Sequence, residues 1–285
     1  MSMTSRPPIT ARRARIAAEL RRLRERAGLT STEAAQRLGT SSGQLSNVER
    51  ARFGVSPDRV RAMARTYGCA DEAYVDALAA MAGERAKGWW EQYRGILPPS
   101  LLDLAELEHH ATGLRTAYTT HIPGLLQTLD HAREIFGQLL PVTPSPEIEH
   151  RASHRIRRQA VLHGPHPVPY STIIHEAALR MKVGGPEVAR AQLQHVLDMS
   201  ERPHVTVLVI PFDAGAFPGA GQSVNFVCGP VPQLDTVHLD QSHGPVLLDA
   251  PPELEEYRLL LARMEAVALG PEESRDLIHH IARQL

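Results

Sequence analysis

Leu29-Thr30-Ser31-Thr32-Glu33-Ala34-Ala35-Gln36-Arg37-Leu38-Gly39-Thr40-Ser41-Ser42-Gly43-Gln44-Leu45-Ser46-Asn47-Val48-Glu49-Arg50 reads as two short helices joined by a tight turn. Thr30 followed three residues later by Glu33 makes one capping box, and Ser41 with Gln44 makes a second. Gly39 stands between them, where a helix that ends in left-handed geometry needs a residue without Cβ. Ala34, Ala35, Leu38, Leu45 and Val48 give both helices an apolar inner edge. The pattern predicts a helix-turn-helix, a unit that lays its second helix in a DNA major groove.

Outward from this stretch, the charge is divided. The formal net charge of −1 hides 14 Arg, no Lys and 5 acidic residues through Gly68, a net of +9. From Cys69 onward 17 basic and 27 acidic residues give a net of −10. Such a split predicts a part that meets nucleic acid joined to a part that avoids it. Residues 1–11, with Arg6, Pro7 and Pro8, read as a flexible arm. A first helix is expected over 12–27, with Ile16, Leu20, Leu23 and Ala27 inward and Gly28 ending it. Its other face carries Arg13, Arg15, Arg21, Arg22, Arg24 and Arg26. Ser56 caps a further helix that begins at Pro57, and Asp71 starts a fifth. The expectation is an all-helical DNA-binding domain over 12–85.

After Gly83 the pattern changes. Trp89 and Trp90, both tryptophans of the chain, predict a junction, a partner surface or the first core contact of a second domain. Helices are expected over 100–112, from Pro123 through Phe136, over 146–162 and over 186–201, with Pro141, Pro144 and Pro146 as breaks. Leu114 to Ile122 reads as extended. Strands are expected over 168–174, 204–210, 223–228, 236–240 and 246–248, a sheet of about five. The near-continuous apolarity of His204 to Ile210 predicts burial on both faces. Two helices, 252–269 and 271–284, close the chain. The fold class is therefore α+β: a helical N-terminal bundle, then a mixed domain over 86–285.

On the second short helix, Ser41, Ser42, Gly43, Gln44, Asn47 and Arg50 occupy the first turn and the outward face. Gln44 and Asn47 suit bidentate contact with adenine, Arg50 guanine or phosphate. Gln44 is also the partner residue of the second capping box. Ser31 and Thr32 offer hydroxyls and backbone N–H groups to a phosphate, and Arg52 and the first-helix arginines are phosphate candidates. Glu49 is expected to be structural, because a carboxylate opposite phosphates opposes binding. His150 and His154 have metal-compatible spacing with Glu147 nearby, yet nothing completes a shell, so neither metal nor cofactor is expected. His175-Glu176-Ala177-Ala178-Leu179 lacks the second histidine of a zinc protease motif. No nucleophilic triad assembles, so no enzyme is expected. Cys69 and Cys228 read as isolated buried small hydrophobes. No run of about 18 apolar residues and no signal-peptide core occur, so no membrane span and a cytoplasmic location are expected. The Gly- and Ala-rich stretch from Phe212 to Gln222 is a candidate pocket rim or partner surface.

Residues 16–68 resemble the helix-turn-helix module of XRE-type (lambda-repressor-like) regulators. The match is carried by Leu23-Arg24-Glu25-Arg26-Ala27-Gly28-Leu29-Thr30, Leu38-Gly39 and Leu45-Ser46-Asn47-Val48-Glu49-Arg50. It departs at Ala35, where that family prefers Leu then Ala, and at Ala51, which replaces a usual Gly. By position the resemblance places base reading on Ser42, Gly43 and Asn47, with Ser31 beside the DNA backbone. The remainder resembles the C-terminal domain of actinobacterial WhiJ-like regulators, through Ile122-Pro123-Gly124-Leu125-Leu126-Gln127-Thr128, Val183-Gly184-Gly185-Pro186-Glu187-Val188, Glu201-Arg202-Pro203-His204-Val205-Thr206-Val207, Ile210-Pro211-Phe212-Asp213-Ala214-Gly215-Ala216 and Leu269-Gly270-Pro271-Glu272-Glu273-Ser274. Arg used almost without Lys, 29 against 2, fits a high-GC source. The resemblance implies regulation of development or specialised metabolism and frequent pairing with a small acidic protein encoded nearby; because one helix-turn-helix reads few base pairs, a homodimer on double-stranded DNA is expected, modulated through the second domain by a ligand or such a partner. The alternative it implies is an antitoxin-like module that holds such a partner.

Overall fold

A computed structural model describes residues 9–84, 86–140, 143–241 and 243–285. Most of the expected arm, residues 1–8, lies outside the described residues, as do Arg85 at the expected domain boundary and Pro141. The chain divides into two compact units, Met1–Gly88 and Trp89–Leu285.

Among the described residues the first unit is five helices: α1 (Ala11–Arg26), α2 (Ser31–Arg37), α3 (Ser42–Glu49), α4 (Pro57–Thr66) and α5 (Glu72–Gly83). Every one starts at a side-chain cap: Thr10, Thr30, Ser41, Ser56 and Asp71 each accept a backbone N–H from the first turn. The inward residues are those the helical spacing selects, Ile16, Leu20, Leu23, Leu45, Val60, Met63 and Leu78. Ala27 instead sits exposed at the C-cap of α1, one residue past the last turn that faces the core.

The second unit has a six-stranded sheet, in the order β3-β2-β1-β4-β5-β6. The strands are β1 (Gly113–Tyr118), β2 (Tyr170–His175), β3 (Val205–Ile210), β4 (Val224–Cys228), β5 (Thr236–Leu239) and β6 (Val246–Leu248). β1, β2 and β3 run parallel, and β4, β5 and β6 add antiparallel partners on the other flank of β1. The strand beyond the expected five is β1, and it lies at the centre. Thr116, its polar mid-point, is buried because its hydroxyl donates to Thr172 (2.8 Å) and meets the Tyr170 hydroxyl (3.0 Å).

Helices cover both faces. On one side α10 (Gly185–Ser200) and α12 (Pro271–Gln284) set Leu193, Val196, Ile278 and Ile281 against Val205, Val207 and Val209. On the other, α11 (Pro251–Glu265) sets Leu254, Leu261 and Met264 against Ala117, Phe226 and Val237. The expectation for β3 holds in part: residues from it enter both cores, but Thr206 is exposed because β3 is the border strand. That border is capped from outside at Val209. The Val209 N–H donates to Ser274 Oγ (2.9 Å), and the Leu269 N–H donates to the Val209 carbonyl (2.9 Å).

Four other helices complete the unit: α6 (Pro99–His109), α7 (Leu129–Gly137), α8 (Ser145–Arg158) and the short α9 (Glu176–Arg180), the last not foreseen. The helix expected to run from Pro123 is broken. A 3-10 turn, Gly124–Leu126, is followed by extended Gln127, and α7 starts afresh with Thr128 capping the His131 N–H. Three buried glutamines impose the break: Gln127 donates to the Ile122 carbonyl, Gln159 to that of Gln127 and Gln192 to that of Leu126 (2.6–2.7 Å). Trp90 packs with Tyr93, Leu97, Leu102 and Ala105, so it is core rather than surface, while Trp89 is half-buried. Cys69 and Cys228 are free and half-buried, not fully buried, because each lies where an element meets a turn.

Candidate nucleic-acid interface

The turn between α2 and α3 follows from the residue that ends α2. Gly39 has φ +61°, and with it the Thr40 N–H reaches back to the Ala35 carbonyl (2.9 Å) and the Gly39 N–H to that of Gln36 (3.1 Å). This is the Schellman termination. α1 ends the same way at Gly28, and α4 at Gly68. α3 repeats it without glycine. The Arg52 N–H donates to the Asn47 carbonyl (2.8 Å) and the Ala51 N–H to that of Val48 (2.9 Å), with Ala51 at φ +55°. Among the described residues Ala51 is the one non-glycine residue with positive φ, and it is buried. Ala51 therefore takes the conformation that glycine takes at the ends of α1, α2 and α4, at the strain an L-residue carries in this region.

The Thr30–Glu33 box is complete: Glu33 accepts the Thr30 N–H (2.8 Å) and Thr30 accepts that of Glu33 (3.2 Å). The Thr30 hydroxyl, which donates to Glu33 at 2.7 Å, and then the Thr30 N–H hold the Glu33 carboxyl below its ordinary pKa. The second box is half made. Ser41 Oγ accepts the Gln44 N–H (3.2 Å), but Gln44 Oε1 takes the Thr40 hydroxyl (2.6 Å) rather than the Ser41 backbone. Thr40, one residue ahead of the cap, has a hydroxyl within reach and outcompetes the backbone. Gln44 keeps its amide NH2 for other partners.

On the outer side of α3, Ser41, Ser42, Gly43, Gln44, Arg50 and Arg52 are exposed and Asn47 is half-exposed. Thr32 is exposed and Ser31 half-buried at the start of α2. Among the described residues the side chains of Ser31, Thr32, Ser42, Asn47, Arg50 and Arg52 make no hydrogen bond within the protein. The nine positions thus lie on one two-helix unit, most of them uncommitted.

Behind that face, α3 is fastened to α1. Arg24 grips Glu49 with both arms, Nε to Oε1 at 2.7 Å and Nη2 to Oε2 at 2.9 Å, and its Nη1 donates to the Leu29 carbonyl (2.8 Å). The Glu49 hydrogen bonds raise the Arg24 pKa further. Glu49 is structural, as its sign requires. Arg24 is not on the outer face, which corrects the reading of α1 as an arginine-lined surface. Arg15 is buried too: Glu19 accepts from Arg15 (2.7 Å), from Arg22 (2.5 Å) and from the Tyr74 hydroxyl (2.6 Å). Arg21 pairs with Glu25 (2.7 Å). Each buried carboxylate draws in guanidinium groups that amphipathic spacing alone assigns to solvent. Of the α1 arginines, Arg26 stays exposed and uncommitted.

In the second unit, His150 is exposed while His154 is buried between the rings of Trp89 (5.2 Å) and Tyr93 (5.0 Å), so the pair does not converge. Burial, with Arg158 and Arg155 adding to it, lowers the His154 pKa to about 3. Among the described residues no three His, Cys, Asp or Glu side chains are grouped for a metal ion. No described helix is long and apolar enough to cross a membrane.

Residues 15–78 match a helix-turn-helix domain, and residues 101–280 match a domain of unknown function, DUF5753. No curated protein and no solved structure matches the chain.

Proposed function

Since the chain belongs to the DUF5753 family and carries a helix-turn-helix domain ahead of that domain, we propose that it is a sequence-specific DNA-binding transcriptional regulator. In this reading it is XRE-type and WhiJ-like, works in the cytoplasm as a homodimer on double-stranded DNA, and is modulated through its second domain. One helix-turn-helix reads few base pairs, and two copies on a repeated half-site supply the missing affinity.

The observation that carries the reading is an uncommitted polar face on a helix locked from behind. Ser42, Gly43 and Asn47 would meet base edges, with the Gln44 amide beside them. Ser31, Thr32, Ser41, Arg50 and Arg52 would meet the backbone. The net +9 through Gly68 supplies the field that draws phosphates in.

The test is a titration of full-length protein onto duplex DNA from around its own gene, at several salt concentrations. Affinity should fall steeply with salt. Asn47→Ala should lose about 1–3 kcal/mol on the preferred sequence and little elsewhere, and Arg52→Ala should weaken all sequences and lower the salt slope by about one. Salt-independent binding, or an Asn47→Ala variant with full sequence preference, would overturn the reading.

A second reading, an antitoxin-like module holding a small acidic partner encoded nearby, draws on Phe212. This ring is 56 % exposed at the head of the loop 212–222. A partner that co-purifies with the chain and is lost from Phe212→Ser would support it.

A further inference from the structure

The carboxyl ends of β1 and β5 and the start of β4 meet at a cleft of about 730 Å3 in the second unit. The topology makes a crevice here. The chain leaves β1 for β2 on one flank, while β4, returning from β3, fills the other. Such divergence at strand ends is where open α/β sheets place their ligands, and the volume is that of a small-molecule site.

One guanidinium in the cleft wall forms no ion pair, although Glu108 and Asp240 are near enough to favour its charge. Arg155, from α8, donates through Nη1 to Gln127 Oε1 (2.6 Å), and its guanidinium carbon lies 4.6 Å from the centre of the Phe136 ring. Among the described residues no carboxylate pairs with it. Its neighbour Arg158 already has one: Glu108 holds it at 2.7 and 2.5 Å, both side chains being buried. Asp240 lines the same cleft but forms no ion pair with either arginine. Burial and the adjoining Arg158 charge lower the Arg155 pKa to about 10, so it remains a cation at neutral pH.

The guanidinium is also held in place. Gln127, which fixes one arm, is itself pinned by the Ile122 carbonyl (2.7 Å) and by Gln159 (2.6 Å). Gly124 lets the backbone approach, because a Cβ there would stand 3.3 Å from Arg155 Cδ. The nearby polar chain is already satisfied. Tyr118 donates to Asn225 Oδ1 (2.7 Å), and the Asn225 amide meets His238 Nδ1 (3.2 Å). His238, neutral because burial lowers its pKa, supplies no second cation. A fixed, half-buried, unpaired guanidinium is a fork for a planar or tetrahedral oxyanion.

We propose that this cleft binds a small organic anion, with its carboxylate or phosphate group on Arg155 and its apolar part against Ile122, Ile135 and Phe136. This deepens the regulatory reading, and rests on it for the consequence of binding: the cleft would be where the second domain senses its ligand.

The experiment titrates full-length protein, without DNA, with phenylacetate, phenyl phosphate and neutral benzyl alcohol, followed by ligand-detected NMR and calorimetry. At least one anion should saturate with a Kd of about 5 mM or tighter, and the tighter of the two identifies the oxyanion. Arg155→Gln should weaken it about tenfold or more. Ile135→Trp, which narrows the cleft and leaves Arg155 in place, should do the same and decides the matter if Arg155→Gln does not fold. Arg133→Gln, on a half-exposed arginine of α7 paired with Glu149, should leave binding unchanged. The proposal is overturned if neither anion saturates, if benzyl alcohol binds as well as the anions, or if Ile135→Trp binds like the wild type. DNA binding is scored separately, so failure of one reading is distinguishable from failure of the other.

Discussion

Replacing Glu49 by Gln removes a charge from the pair that fastens α3 to α1 and leaves the shape nearly unchanged. The Arg24 and Glu49 side chains are 11 % and 7 % exposed, and two hydrogen bonds of 2.7 and 2.9 Å join them. Breaking a fully buried ion pair by removing one partner costs about 3–5 kcal/mol. The small residual access of water to Arg24 places this pair at or below the lower end, at about 2–3 kcal/mol. Both tryptophans lie in the second unit, so tryptophan emission does not report on this loss. Hydrogen exchange of the intact protein, resolved to peptides of α1 and α3, does. Exchange through the opening of the first unit should quicken roughly 30- to 150-fold, at 1.4 kcal/mol per factor of ten. Peptides of the six-stranded sheet should not change. Arg24→Met with Glu49→Leu, which removes both charges and keeps the volume, should recover most of the loss. A change below about fivefold in Glu49→Gln, or a double variant no better than the single, would refute the reasoning that this pair is what holds α3.

Acid should weaken the second unit before its carboxylates titrate. Burial lowers the pKa of His131 to about 4 and of His154 to about 3, from an ordinary 6.5. Between these values the unfolded chain binds more protons than the native one, so the stability is fully present above about pH 6.5 and is lost as pH falls. At pH 5 the loss should be about 2 kcal/mol per histidine, read by urea unfolding with tryptophan emission; a flat profile from pH 7 to 5 refutes neutral burial. Ala51→Gly should change stability by less than about 1 kcal/mol, because relief of positive-φ strain is offset by a freer unfolded chain and a lost buried methyl. Ala51→Val should cost at least about 2 kcal/mol, since a branched Cβ fits neither that φ nor the space; exchange of the α3 peptides measures both. Glu108→Gln should cost the second unit about 3 kcal/mol or more, because it takes from buried Arg158 the carboxylate that holds it. Glu108→Leu with Arg158→Met should restore most of it in the same urea assay.

The first unit was legible because its signals are local. Thr30, Ser41, Ser56 and Asp71 cap helices within three residues of themselves, and Gly28 and Gly39 end them by their own backbone. What escaped there was the burial of Arg15 and Arg24. Amphipathic spacing sorts by residue type, and a guanidinium reads as solvent-facing until its carboxylate is found, 25 residues away for Arg24. In the second unit β1 went uncounted because Arg115 and Thr116 interrupt its apolar pattern, although Thr116 is satisfied by hydroxyls 54 and 56 residues distant. The cleft is invisible in the sequence for the same reason: Arg155, Gln127 and Asp240 come from separate stretches, and of the stretch Phe212 to Gln222, expected as a pocket rim or partner surface, only Gly221 and Gln222 line it.

The capping of β3 at Val209 by Ser274 and Leu269 bears on how a second molecule could meet this sheet. A sheet normally grows by lending its outermost N–H and C=O groups to a stranger, and at Val209 both of those groups are already engaged by the chain itself. The opposite margin, β6, is three residues long, too short a template for a lasting ribbon between molecules. At Val209, then, a second molecule would find no main-chain partner, and any association at that point rests on side-chain identity rather than on strand pairing.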